Sequence, residues 1–353
     1  MHWFIVPDLD GPVSGGTLFN RMLIAAANQV GCPCRPLPIE KARAALVGAA
    51  GEDTFWVDSL YLDEFPALCR AAKTGTQVAL ILHYLPSLVT HGGGVCASLL
   101  TPTEVNALQA AGTFFVPSPF MRAAIERLAG VGRTIVCVEP GCLATGLAPL
   151  PFPPARAVMV ANLVPGKGVE PFLTNLAERI EGSDDFCLTV IGGDAFDRPY
   201  AERCRRVGDD PRLRGRVDFA GALSPEKTVR RMMASNLFVT ASVMESFGMA
   251  LAEARILGLP IVACTGGNVA ALVDRACGGE LVGSPEALAS AFLALCRDTG
   301  KHRRRMASAR AGALPPRPWT AAAREFSAQT ASSAGIDPHA PTTREGARHV
   351  RRA

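Results

Sequence analysis

One feature constrains the fold of this 353-residue chain more than any other. Short apolar runs, each too brief for a helix, alternate with longer stretches of helical period through both halves. In the first half Trp3–Val6, Thr54–Val57, Val78–His83, Phe114–Val116 and Thr134–Glu139 read as strands. Helices are expected from about Thr17 to Gln29 and from Pro119 to Leu128. Near-continuous apolar strands separated by helices predict a parallel sheet covered on both faces. Residues 146–154 are rich in Pro, Gly and Ala and read as a linker. A second set then starts afresh, with strands at Ala157–Ala161, Phe186–Ile191, Val217–Ala220, Leu237–Thr240 and Pro260–Ala263. Its helices fall at about Val169–Ile180, Tyr200–Val207, Pro225–Ala234, Gly248–Leu257 and Val269–Val273. The expected fold is α/β, two Rossmann-like doubly wound domains facing across a cleft between the carboxyl ends of their strands. The boundaries are 1–148 and 155–312. A segment over 313–331 follows, in which Pro315, Pro316 and Pro318 break the pattern before a last helix at Thr320–Gln329. Residues 332–353 are polar and without apolar period, and are expected to be a disordered tail.

Composition narrows the function classes. Hydrophobic residues make up 48% and charged residues 19%, which supports two buried cores. A net charge of +4 suits an anionic nucleotide, leaves peripheral contact with acidic lipid open, and does not indicate nucleic-acid binding. The 11 cysteines are scattered through apolar runs, and Cys32-x-Cys34 has no second pair at zinc spacing. They read as small buried hydrophobes. The start Met1-His-Trp-Phe-Ile-Val reads as a strand rather than a signal peptide, and no apolar run reaches the ~18 residues of a membrane span. A soluble, cytoplasmic protein is expected.

The segment Glu245-Ser-Phe-Gly-Met-Ala-Leu-Ala-Glu253 follows a strand and opens a helix. Gly248 permits close backbone approach, and the first free N–H groups of a helix suit a diphosphate. Full helical spacing would put the two carboxylates roughly 12 Å apart. One could then bind a sugar and the other a ribose. The plainer reading is a helix-dipole partner, Glu245, and a solvated carboxylate, Glu253.

Four surrounding runs weigh for the first reading. Val217-Asp-Phe-Ala-Gly, Leu237-Phe-Val-Thr, Gly258-Leu-Pro-Ile-Val-Ala and Gly266-Gly267 frame the paired glutamates. Together they closely resemble the C-terminal domain of glycosyltransferase family 4, retaining enzymes of the GT-B fold. The resemblance implies that Glu245 contacts the donor sugar and Glu253 the ribose. Ser246, Phe247, Gly248 and Met249 would lie along the diphosphate and offer backbone N–H groups. Upstream, Val158-Met-Val-Ala-Asn-Leu-Val-Pro-Gly-Lys-Gly168 resembles the first strand and Lys-Gly turn of that domain, which makes Lys167 the phosphate cation. The family usually carries Arg where this chain has Asn162. One of two expected cations is therefore missing, although the amide can still hydrogen-bond.

The first half resembles the family more weakly. Gly15-Gly16 between the first strand and helix would bring backbone to the donor from the opposite wall, and does not form the dinucleotide G-x-G-x-x-G. His83, at a strand's carboxyl end, would stand close to the reacting sugar, with His91 in a Gly-rich loop as a lesser candidate. Arg122 reads as a surface arginine and Trp319 as packing. The implied reaction is transfer of a sugar from a nucleotide diphosphate sugar to an acceptor hydroxyl with retention. The acceptor is unknown: a saccharide, a lipid headgroup or a small metabolite. No cofactor and no metal are expected, Asp8-x-Asp10 being a loop pair in a fold that needs none. Rival readings are a sugar-nucleotide epimerase, a phosphorylase, and a nucleotide-sugar-binding protein without turnover.

Overall fold

The computed structural model describes residues 1–130, 132–149 and 154–333. The first lobe runs β1 (His2–Ile5), α1 (Gly15–Gln29), β2 (Cys34–Leu37), α2 (Ile39–Gly48), β3 (Thr54–Asp58), α3 (Phe65–Ala71), β4 (Gln77–Ile81), α4 (Pro86–Thr90), α5 (Pro102–Ala110), β5 (Thr113–Val116), α6 (Pro119–Ala129) and β6 (Thr134–Cys137). Its six strands form one sheet, in the order β2-β1-β3-β4-β5-β6, with every pairing parallel. Burial explains the strand composition: all five residues of Thr-Phe-Trp-Val-Asp in β3 and all four of Thr-Phe-Phe-Val in β5 are buried.

The second lobe runs β7 (Ala155–Val160), α7 (Val169–Arg179), β8 (Phe186–Ile191), α8 (Arg198–Gly208), β9 (Val217–Gly221), α9 (Pro225–Met233), β10 (Leu237–Thr240), α10 (Met249–Leu257), β11 (Ile261–Cys264), α11 (Val269–Leu272), β12 (Gly279–Val282), α12 (Pro285–Arg297) and α13 (Thr299–Ala311). Its sheet is also six-stranded and parallel, in the order β12-β11-β10-β7-β8-β9. The expected pair of doubly wound sheets is present. Each sheet is wider than the sequence reading, because β2 and β12 are edge strands that carry Pro36 and Gly279.

The chain between the lobes is more structured than a linker. Ala144 and Ala148 are buried against the second lobe's core, and the Ala148 N–H donates to the Leu257 carbonyl at 3.0 Å. Packing on the end of α10 replaces the freedom that the Pro/Gly content suggested. Residues 150–153 lie outside the described residues.

After α13 the chain crosses back. Helix α14 (Trp319–Ser333) packs on α1, burying Trp319, Ala322, Ala323 and Phe326 in the first lobe's core beside Phe4, Trp56 and Phe115. Phe326 meets Trp56 edge-on, with ring centroids 5.4 Å apart. Gln329 satisfies the exposed edge of β6. Its carbonyl accepts from the Cys137 N–H at 3.0 Å, and its amide donates to the Cys137 carbonyl at 2.8 Å. The expected tail begins inside α14, and residues 334–353 of it lie outside the described residues. No described helix is long and apolar enough to cross a membrane.

Candidate functional site between the lobes

The loop after β10 and the start of α10 form one wall. Gly248 caps the helix at φ +90°, a left-handed conformation that a side chain would strain. A Cβ there would also lie 3.1 Å from Leu251 and 3.3 Å from Leu272. Asn268, which the sequence reading overlooked, pins the loop from behind. Its backbone N–H donates to the Glu245 carbonyl at 2.7 Å and its buried side-chain amide to the Phe247 carbonyl at 2.8 Å. Its only signal in sequence was its position after Gly266-Gly267. The backbone N–H groups of Phe247, Gly248, Met249 and Ala250 have no protein acceptor among the described residues. They form an array of donors at the positive end of the helix dipole. The Phe247 side chain packs into the second lobe's core.

Lys167 sits in a short turn after β7, closed by left-handed Gly168. Its Nζ meets Glu245 Oε1 at 2.6 Å. The cation expected at phosphates and the carboxylate expected at a sugar are thus paired with each other and partly exposed. Such a pair is cheap to rearrange.

Glu253 stands one turn into α10, which begins at Met249. Its Oε1 accepts from the Leu143 N–H at 3.3 Å, on the chain that joins the lobes. Burial pushes its carboxyl up to about 7, offset in part by that hydrogen bond.

Asn162, at the end of β7, bridges the lobes. Its amide donates to the Val13 carbonyl at 2.9 Å, and its Oδ1 accepts from the Gly193 N–H at 2.9 Å. Both polar ends of the residue that stands where an arginine was expected are held by backbone. Ser118 makes a second bridge: it accepts from the Met121 N–H as N-cap of α6 and donates to the Ser246 carbonyl at 2.5 Å.

The first lobe supplies the facing wall. Gly15 and Gly16 open α1, whose N-cap Ser14 accepts from the Thr17 N–H. A Cβ at Gly15 would lie 4.0 Å from Met249 Cε, so the starts of α1 and α10 face each other. A Cβ at Gly16 would lie 2.9 Å from the His83 ring, which explains the glycine. The imidazole of His83 is buried beyond β4, with Nε2 2.9 Å from Asn20 Oδ1 and 3.5 Å from Asp58 Oδ2. Burial holds it below its ordinary range, while the Asp58 charge pulls the other way. Asn20 and Asp58 were not singled out in sequence, because α1 and β3 bring them to His83 from distant positions.

Other candidates lie elsewhere. His91 is exposed at the end of α4. Arg122 hydrogen-bonds the Cys137 thiol on the last residue of β6, a group that also feels the charges of Glu139 and Glu325. Asp8 accepts from the Asp10 N–H in its own exposed turn. Among the described residues, no three His, Cys, Asp or Glu side chains are grouped to hold a metal ion. A cavity of ≈ 890 Å³ opens between the lobes, lined by Phe120, Phe247, Ile256, Leu272 and Leu314 with Arg317.

Residues 154–298 match the sequence profile of the family described as "Glycosyl transferases group 1". The chain is 29% identical over 194 residues to a D-inositol 3-phosphate glycosyltransferase of Corynebacterium efficiens, covering 54% of this chain and 46% of that one. It therefore spans less than half the length of that relative. It is 24% identical over 258 residues to a GDP-mannose-dependent alpha-(1-6)-phosphatidylinositol monomannoside mannosyltransferase of Mycobacterium tuberculosis, covering 68% and 58% of the two chains. The two-lobed architecture matches a sucrose-phosphate synthase of Thermosynechococcus elongatus at TM-score 0.72 and 20% identity, covering 95% and 99%. It matches Anabaena Alr3699/HepE, solved with UDP and glucose, at 0.71 and 17%, covering 94% and 99%. The fold is GT-B.

Proposed function

We propose, from the match of residues 154–298 to the family described as group 1 glycosyl transferases, that this protein moves a sugar from a nucleoside diphosphate sugar to an acceptor hydroxyl. One observation carries the reading. The start of α10, with its unpartnered N–H groups and the Lys167–Glu245 pair, faces the Gly15–Gly16 start of α1 across the gap between the lobes. A diphosphate bound there would take the amides of Gly248 and Met249 and draw the Lys167 ammonium onto its oxygens. Glu245, released from Lys167, would then accept hydroxyl hydrogen bonds from the sugar. The bond from the anomeric carbon to the phosphate oxygen breaks, and the negative charge that grows on the leaving diphosphate meets the helix dipole and one ammonium.

The proposed stereochemistry is retention. The acceptor oxygen bonds to the anomeric carbon on the face the diphosphate leaves, and its proton passes to a diphosphate oxygen. No metal is required in this scheme, because helix N–H groups and Lys167 supply the positive field. Glu253, beside the interlobe chain, is proposed to receive the ribose in its ionised form. The relatives' names support a polyol or inositol-lipid acceptor and a GDP- or UDP-linked donor. Eleven free thiols support a reducing, cytoplasmic setting.

The test is a thermal-shift screen of GDP- and UDP-sugars, followed by turnover of the stabilising donor with inositol phosphates and analysis of the product's anomeric configuration. A ligand present at 100 times its dissociation constant adds about 2.7 kcal/mol of stability. Binding without turnover against any acceptor, or an inverted product, would overturn the assignment.

A further inference from the structure

Asp58, Asn20 and His83 form a chain of hydrogen bonds at the carboxyl edge of the first lobe's sheet. Its directions can be worked out from chemistry. An ionised carboxylate only accepts, so the Asn20 amide must donate to Asp58 Oδ2, which it does at 2.7 Å. That turns the Asn20 carbonyl oxygen toward His83, 2.9 Å from Nε2. A carbonyl oxygen also only accepts, so Nε2 must carry a proton. The second Asp58 oxygen is fixed independently, accepting from the Leu60 N–H at 2.9 Å. Asn20 is fully buried and Asp58 nearly so, leaving water little room to reverse the chain.

We propose that Asp58 and Asn20 are positioning residues that hold His83 as the Nε2–H tautomer, so that Nδ1 is presented to the substrate cleft as a hydrogen-bond acceptor. The packing agrees. Gly16 covers the Cγ–Cδ2 edge of the ring and Phe19 meets it edge-on, at a centroid distance of 5.3 Å. The Nδ1–Cε1 edge is what remains, and the side chain keeps 10% exposure. No described residue donates to Nδ1. An acceptor nitrogen backed by the Asp58 carboxylate selects a neutral hydroxyl group of the substrate. It rejects a carboxylate or phosphate oxygen, which has no proton to give and meets a like charge behind the ring. The contact with a sugar or acceptor hydroxyl rests on the proposed transferase reading; the tautomer does not.

The experiment is nitrogen-15 NMR of histidine-labelled full-length protein, with the His83 signals assigned by their loss in His83→Gln. Wild type is expected to show Nε2 protonated and Nδ1 bare near pH 7. Asp58→Asn is nearly isosteric and can keep the Leu60 cap. It permits the Asn20 amide to turn over and donate to Nε2, so the proton is expected on Nδ1. Asn20→Asp serves as a second variant if Asp58→Asn folds poorly: it leaves an acceptor oxygen against Nε2, so Nε2 should stay protonated in it, and a bare Nε2 there would also overturn the proposal. In the transfer assay, Asp58→Asn should lower kcat/KM by about tenfold, the worth of one neutral hydrogen bond. A bare Nε2 in wild type, or an unchanged tautomer in folded Asp58→Asn, overturns the proposal. A shifted tautomer with unchanged kcat/KM overturns the substrate contact. Failure of wild type to turn over any nucleotide sugar strikes the transferase reading instead, and the NMR result is unaffected by it.

Discussion

Lys167 and Glu245 are each other's partner, and that sets what their loss should do. Neither is a structural necessity, since a partly exposed ion pair contributes about 0–1 kcal/mol. Lys167→Ala should leave the melting temperature within a few degrees of wild type. It should lower kcat by about 10²–10³, as expected when one preorganised charge is removed from a leaving group. Steady-state kinetics beside a melting curve checks both halves. Glu253 behaves differently, because its carboxyl is raised from 4.5 to about 7 by burial. The folded protein then holds a proton that the unfolded chain releases. Stability is greatest below the ordinary carboxyl range and falls as pH rises from about 4.5 through 7. Glu253→Gln should therefore melt above wild type at pH 8, by on the order of 1–3 kcal/mol, and close to it at pH 5. It should also bind nucleoside diphosphates more weakly at pH 8. Lys167 and Glu245 as separate candidates were within reach of the sequence, because each stands in a recognisable run, although their bond to each other was not read there. The second role of Asn162 was not. An asparagine reads as a weak phosphate ligand until the Val13 carbonyl is seen opposite its amide.

At the level of elements, strands buried on both faces announced themselves. β3, β5, β10 and β11 are uninterrupted apolar runs, and their sequence bounds agree with the structure within one or two residues. β2 stayed hidden because it is a short edge strand with Arg35 and Pro36 exposed. α13 stayed hidden because Lys301, His302, Arg303, Arg304 and Arg305 give it no apolar stripe, although His302 is fully buried and hydrogen-bonded to the Asn236 carbonyl at 3.0 Å. The start of α10 depends on Gly248 adopting a left-handed conformation. Gly248→Ala should cost about 1–2 kcal/mol, the penalty for a Cβ in that region, and should raise the KM for donor by tilting the amides of Phe247 and Met249. Chemical denaturation and donor titration of the same variant separate the two effects.

For the whole molecule, the two lobes meet through a few side-chain-to-backbone bonds, Asn162 to Val13 and Ser118 to Ser246. A Cβ at Gly93 would lie 2.7 Å from the Gly267 nitrogen, so the loops on either side of the gap are in contact. Asn162→Ala removes about 1 kcal/mol of interlobe attraction. It should increase the radius of gyration of the unliganded protein in small-angle scattering, with recovery when a donor bridges the lobes. An unchanged scattering curve would show that closure does not depend on this bond. Helix α14 sets a condition on how the molecule is made. Its Gln329 bonds Cys137 across 192 residues of sequence, and its Phe326 fills the space between Trp56 and Phe115. A ribosome must therefore finish the entire second lobe before the first can seal its interior. Until then the nascent first lobe presents an aromatic groove to its surroundings, a natural target for chaperones and for any protease that reaches the chain before its last helix does.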